Sequence, residues 1–160
     1  MPDPMLDDNP FPAGRLAAVD YGTVRIGIAV TDARRTLASP YEIYRRRDAA
    51  ADAHYFQSLA AQEKIVGFVV GLPVHLDGRE SQKSFEARQF GTWLADTTKL
   101  PVAFFDERFT TAEADQFLGL AKLTKKQRAA RRDKLAAQIL LSAYLEATRP
   151  GEPGALDDNS

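Results

Sequence analysis

Apolar positions along this chain fall into short unbroken runs and helical stripes, separated by turn-forming residues. Leu16-Ala17-Ala18-Val19-Asp20 reads as a buried strand ending on a carboxylate, and Tyr21-Gly22-Thr23 as the turn that follows. Arg25 to Val30 reads as a second strand and Thr36 to Tyr44 as a weaker third. Strands this close in sequence are joined as hairpins and run antiparallel. A helix is expected over about Ala49–Gln62, then the continuous apolar run Ile65 to Gly71, the pattern of a strand covered on both faces. A second helix follows at about Ser81–Asp96, and a short buried strand at Pro101–Phe105. Thr110, with Glu113 three residues later, has the spacing of a capping box and opens a third helix. Leu135, Ala136, Ile139, Leu140, Ala143, Tyr144 and Ala147 form one stripe on a final helix from about Arg132 to Thr148. The order β-β-β-α-β-α-β-α-α predicts an α/β fold with a mixed five-stranded sheet and helices on its faces.

The 160 residues and their 44% hydrophobic content suit one domain with one real core. Residues 14–148 are its expected extent. Residues 1–13 and 149–160, rich in Pro, Asp, Gly and Asn and without apolar periodicity, read as disordered tails. The N-terminus has neither the basic region nor the apolar stretch of a secretion signal, and no run approaches the ~18 apolar residues of a membrane span. With no cysteine, disulfides, thiol catalysis and cysteine-based zinc sites are excluded. A cytoplasmic protein without a membrane partner is expected, as a monomer or weak homodimer. The net charge of −1 hides an asymmetry: the ends carry −3 over residues 1–13 and −2 over 149–160, and the body carries +4. A basic body permits nucleic-acid binding without requiring it.

In sheets of this kind, sites form beyond the carboxyl ends of the parallel strands. That rule selects three places. Asp20, in Asp20-Tyr21-Gly22-Thr23-x-Arg25-x-Gly27, stands at a strand tip backed by small residues, suited to hold a metal although an Asp often simply starts a turn. Asp106-Glu107-Arg108-Phe109-Thr110-Thr111 follows the last strand. Adjacent strand residues point to opposite faces, so one of the two acids joins Asp20; Glu107 is favoured, with Asp106 as a helper and Arg108 as a phosphate contact. Gly71-Leu72-Pro73 is a turn that could bring backbone to a substrate at Gly71; His75, in the loop beyond, is a weak candidate. Asp133, in Asp133-x-x-Ala136-Ala137, stands where an acid in a first helical turn would serve the helix dipole, and taken alone that structural reading leads.

Around Asp133 runs a basic series: Lys122, Lys125, Lys126, Arg128, Arg131, Arg132 and Lys134. Such a run is ordinarily a solvated surface; beside a carboxylate cluster it becomes a phosphate-backbone contact, which Arg34, Arg35, Arg45, Arg46 and Arg47 could extend. Clustered carboxylates repel one another unless a cation neutralises them, and hard oxygen ligands suit Mg²⁺ or Mn²⁺. Such an ion activates water and steadies the leaving oxygen of a phosphodiester.

Val19-Asp20-Tyr21-Gly22-x-x-Arg25-Ile26-Gly27, Val70-Gly71-Leu72-Pro73, Asp77-Gly78, Asp106-Glu107-Arg108-x-Thr110-Thr111 and Asp133-x-x-Ala136-Ala137 with Tyr144-Leu145, in this order and spacing, resemble the YqgF/RuvX family. The resemblance spans roughly Gly14 to Glu146. It implies an RNase H-like fold and an acidic site of Asp20, Glu107 and Asp133 that binds Mg²⁺ or Mn²⁺, and it lifts Asp133 above its stand-alone reading. It also implies a bacterial cytoplasmic nuclease that trims the 5′ end of the 16S rRNA precursor, or resolves four-way DNA junctions. Arg25, Arg108, Gly71, Lys125, Lys126, Arg128, Arg131 and Arg132 are then the expected substrate contacts. The chain departs from the family at His75, at Arg79-Glu80-Ser81, where a Gly usually follows the Glu, and at Phe109, where Leu is usual. Two other readings compete. One is a non-catalytic ribosome-assembly module that binds nucleic acid. The other is a phosphotransferase, since Asp-x-Gly-Thr after a first strand is similar to the phosphate loop of actin-like ATPases; those need two such domains, and this chain has one.

Overall fold

The computed structural model describes residues 10–73, 81–107 and 123–148, apart from the side chains of residues 129, 130, 132 and 133. Five strands, β1 (Arg15–Asp20), β2 (Arg25–Thr31), β3 (Ala38–Arg45), β4 (Ile65–Leu72) and β5 (Val102–Asp106), form one sheet in the order β3-β2-β1-β4-β5. β3, β2 and β1 pair antiparallel, as their short turns require, while β1, β4 and β5 pair parallel. The helices are α1 (Ala49–Gln62), α2 (Gln82–Thr98) and α3 (Lys125–Thr148). The mixed five-stranded sheet anticipated from the apolar pattern is the one built. The helix expected from Thr110 lies outside the described residues.

Strand alternation divides the core in two. Ala17 and Val19 of β1, with Phe68 and Val70 of β4, pack against Phe56 and Leu59 of α1 and Ala87, Phe90 and Leu94 of α2. Leu16 and Ala18, with Val69, face Ala137, Leu140, Leu141 and Tyr144 of α3. Even-numbered residues of β1 and odd-numbered residues of β4 therefore look toward α3. That parity places Asp20, and Gly71 in β4, on the α3 side.

Two elements differ from the sequence reading. The final helix begins at Lys125, about two turns before Arg132. The Thr124 hydroxyl accepts from Gln127 N at 3.1 Å, and Gln127 Oε1 accepts from Thr124 N at 2.9 Å. This reciprocal capping box starts the helix within a charged stretch that offers no apolar stripe. Asp133 therefore lies well inside α3, too far from its start for the helix dipole to explain it. The second difference is Phe11. It falls within the segment assigned to the N-terminal tail, yet it is only 5% exposed and packs edge-on against Tyr144, with ring centroids 6.2 Å apart. A Cβ on Gly67 would stand 2.1 Å from Phe11 Cδ1, so the glycine provides the seat for this ring. Arg35 closes over it, donating to the carbonyls of Pro12 and Gly14.

Candidate active site

Three neighbouring strands deliver the site. Val19 of β1 pairs with Val70 of β4, which carries Asp20 alongside Gly71, and Gly71 pairs in turn with Phe105 of β5, two residues before Glu107. Gly71 is buried, and the volume its side chain would fill belongs to Glu107: a Cβ there would stand 2.3 Å from Glu107 Oε2. A glycine near the end of β4 thus lets the carboxylate of Glu107, just past β5, lean across the sheet end toward Asp20. Asp20 pairs with Gly27 of β2, and a Cβ on Gly27 would come within 3.6 Å of Asp20 Cβ and 3.7 Å of Ala137 Cβ. These are ordinary van der Waals distances, so Asp20, Gly27 and Ala137 adjoin one another where β1, β2 and α3 meet. Asp133 stands one turn before Ala137 on the same face of α3; its side chain lies outside the described residues.

The electrostatics follow from this crowding. Partial burial, and then the negative charge of Asp20, push the Glu107 carboxyl up to about 7; Lys83 opposes the shift and Asp106 adds to it. Two carboxylates that raise each other's cost of ionisation form a donor set of hard oxygens, and a divalent cation such as Mg²⁺ or Mn²⁺ fits it. Among the described residues, no group of three acidic or histidine side chains is assembled.

Asp20 opens into a cleft of about 640 Å³. Arg25 and Gly27 form part of its floor, Lys83 and Glu86 enter from α2, Lys134 enters from α3, and Val24 and Ile43 supply apolar rim. Among the described residues, Arg25 and Lys134 are the members of the basic set read from the sequence that line this cleft. Lys125, Lys126 and Arg131 are exposed on the first two turns of α3, while Arg128 is half-buried and donates to the Leu123 carbonyl at 2.7 Å. Arg108 and His75, together with the Arg132 side chain, lie outside the described residues. Gly71 sits beneath Glu107 rather than at the cleft surface.

Sequence reasoning overlooked Lys83 and Glu86, whose cue was their place in the first turns of a helix following β4. It also misread Arg46 as an extension of the basic surface. Arg46 is half-buried and ion-paired at 3.2 Å to Asp52, which is 1% exposed. Its Nη1 donates to Tyr21 Oη at 3.2 Å and reaches the Gly22 carbonyl at 3.5 Å, and its guanidinium lies over the Tyr21 and Phe90 rings. Asp52 also accepts from Tyr44 Oη at 2.7 Å and Arg47 N at 2.9 Å. The start of α1 is thereby tied to the turn immediately after Asp20. Arg35 is likewise occupied by the Phe11 segment.

The chain is similar to known proteins. A family model described as RuvX, Holliday junction resolvase, matches residues 14–147. A protein of Rhodopirellula baltica provisionally named a pre-16S rRNA nuclease is 53% identical over 140 residues, 87% of this chain and 81% of that protein. A relative of the same name from Koribacter versatilis is 38% identical over 133 residues, covering 83% of this chain and 87% of the relative. Among solved structures, the human cytomegalovirus terminase nuclease domain superposes with a TM-score of 0.51 at 13% identity, over 88% of this chain and 86% of that one, a likeness of fold.

Proposed function

The chain belongs to the RuvX family, and from that premise we propose that it is a divalent-metal-dependent nuclease, a hydrolase of phosphodiester bonds that acts in 5′-end maturation of the 16S rRNA precursor. The observation that carries this reading is that Asp20 and Glu107, at the ends of β1 and β5 on either side of β4, act on each other, with Glu107 pushed up to about 7 by burial and by the charge of Asp20. Such a pair resists full ionisation without a counter-cation, and a protein that only bound phosphates would gain nothing from presenting it. Asp20 and Glu107 are the proposed ligands for Mg²⁺ or Mn²⁺, with Asp133 the third by its position on α3. The ion would supply Lewis-acid activation of water and charge neutralisation at the phosphodiester. The protein's own part is to fix the two carboxylates against the sheet end and to hold the substrate backbone with Arg25 and the basic first turns of α3. A cytoplasmic location follows from the proposed substrate; among the described residues, no helix is long and apolar enough to cross a membrane.

The test is cleavage of a 5′-extended 16S rRNA precursor, with a four-way DNA junction in parallel, each with Mn²⁺ and with EDTA. The expected result is metal-dependent RNA cleavage that is lost in Asp20→Asn and Glu107→Gln. The family description favours the junction as a second substrate; cleavage of the junction alone would transfer the reading to resolution of branched DNA. Binding without turnover of either substrate would overturn the nuclease reading in favour of an assembly module.

A further inference from the structure

Lys83 and Lys134 enter the Asp20 cleft from helices packed on opposite faces of the sheet. An exposed lysine is ordinarily a solvated charge, but Lys83 is placed against local stability. It is the second residue of a 17-residue helix whose first turn contains no acid, where the unpaired amides already carry positive charge. A cation there is disfavoured relative to an anion by the helix dipole, so the placement suits an incoming negative group. Lys83 lines the same cleft as Asp20, and its charge acts on Glu107. Among the described residues, neither lysine is ion-paired. Glu86, one turn after Lys83, also lines the cleft, with Tyr21, Thr23 and Arg25, and the rim beside Arg25 is apolar: Val24 is 54% exposed and Ile43 47%. Duplex nucleic acid presents phosphates and groove edges, whereas an unpaired strand also exposes the apolar faces of its sugars and bases. A cleft of about 640 Å³ has the volume of an ordinary small-ligand site, room for individual nucleotides rather than a helix.

We propose that Lys83 and Lys134 are paired phosphate contacts that hold a single RNA strand in the cleft beside Asp20, with Val24 and Ile43 against its sugar and base faces. The proposal rests on the nuclease reading for the identity of the substrate but concerns binding, and it is tested without turnover. The probe is a fluorescent single-stranded RNA carrying the 5′ extension of the 16S precursor, bound to the full chain in EDTA, with anisotropy followed across a salt titration. For single strands, each phosphate contact contributes about 0.7 to the slope of log affinity against log salt. Lys83→Met and Lys134→Met are each expected to flatten the slope by roughly that amount and to weaken binding roughly five- to tenfold at moderate salt. Lys83→Arg should restore the slope. Lys64→Met, which removes the same charge just before β4 at the opposite end of the sheet, should behave as wild type. A slope unchanged in Lys83→Met, or lowered equally in Lys64→Met, overturns the proposal. Cleavage by wild type that Asp20→Asn abolishes would leave the nuclease reading standing in that case, so the two failures are separable.

Discussion

An alanine at position 71 would put its Cβ 2.3 Å from Glu107 Oε2, inside the carboxylate's own volume. Because the neighbour is a side chain, Glu107 can swing aside and the fold can survive. Gly71→Ala is therefore expected to retain a near-native melting temperature while losing roughly 100-fold or more in cleavage, the scale of a displaced reacting group; near-wild-type turnover would show that Glu107 is not needed where it stands. Glu107 also links stability to pH. Its folded-state pKa of about 7 lies above its ordinary value of 4.5, so between those limits the folded state binds the proton more tightly than the unfolded chain. The stability this contributes is present below the ordinary value and is lost as pH rises through the folded one. Without metal, the melting temperature should fall as pH is raised from about 5 to about 8, and Glu107→Gln should be more stable than wild type at the upper end by roughly a few degrees. A variant no more stable than wild type there would contradict the crowding of the two acids. The sequence located both acids by the strand-tip rule. It did not show that Gly71 serves Glu107, because that requires the parallel register of β4 and β5.

At the scale of elements, the Arg46–Asp52 pair joins β3's end and the first turn of α1 to the Tyr21–Gly22 turn. Breaking such a pair leaves a buried charge, which typically costs about 3–5 kcal/mol. Arg46→Met is expected to lose stability on that scale in urea unfolding. Adding Asp52→Asn should recover part of the loss, since the stranded charge is then gone. Additive losses would mean the two residues act separately. The same disruption should lower turnover in Arg46→Lys, where the charge remains but the planar fork that spans Asp52 and Tyr21 does not. At the other end of the chain, Thr124→Ala removes half of the α3 capping box and should cost about 1 kcal/mol. The Thr124-x-x-Gln127 spacing was legible in the sequence; the apolar stripe, which begins only at Leu135, drew the helix start too far downstream.

Across the whole molecule, the sheet is a partition between two cores, and Phe11 completes the one under α3. Phe11→Ala would empty a site formed by Gly67, Tyr144 and Arg35, and is expected to destabilise by about 3–5 kcal/mol in thermal or chemical unfolding. A loss below about 1 kcal/mol would show that residues preceding β1 contribute little to the fold. Nothing in the local sequence marks Phe11 as a core residue: it is a lone aromatic among prolines, and its partners lie 56 and 133 positions away.

Element types, the antiparallel opening hairpins, the parallel pairing that a crossover helix requires, and the strand tips where acids would gather all follow from the order of residues. These are local properties: apolar period, turn residues and chain length between elements set them before any distant contact forms. What those acids meet is set by the folded packing. Register placed Gly71 under Glu107, parity put Asp20 on the α3 side with Ala137, and packing assigned Arg46 and Arg35 to structural partners while leaving Lys83 and Lys134 on the cleft. Charge and burial depend on neighbours remote in sequence. The pattern of residues therefore identifies candidates, and the fold sorts the cations that hold the protein together from those left to face a substrate.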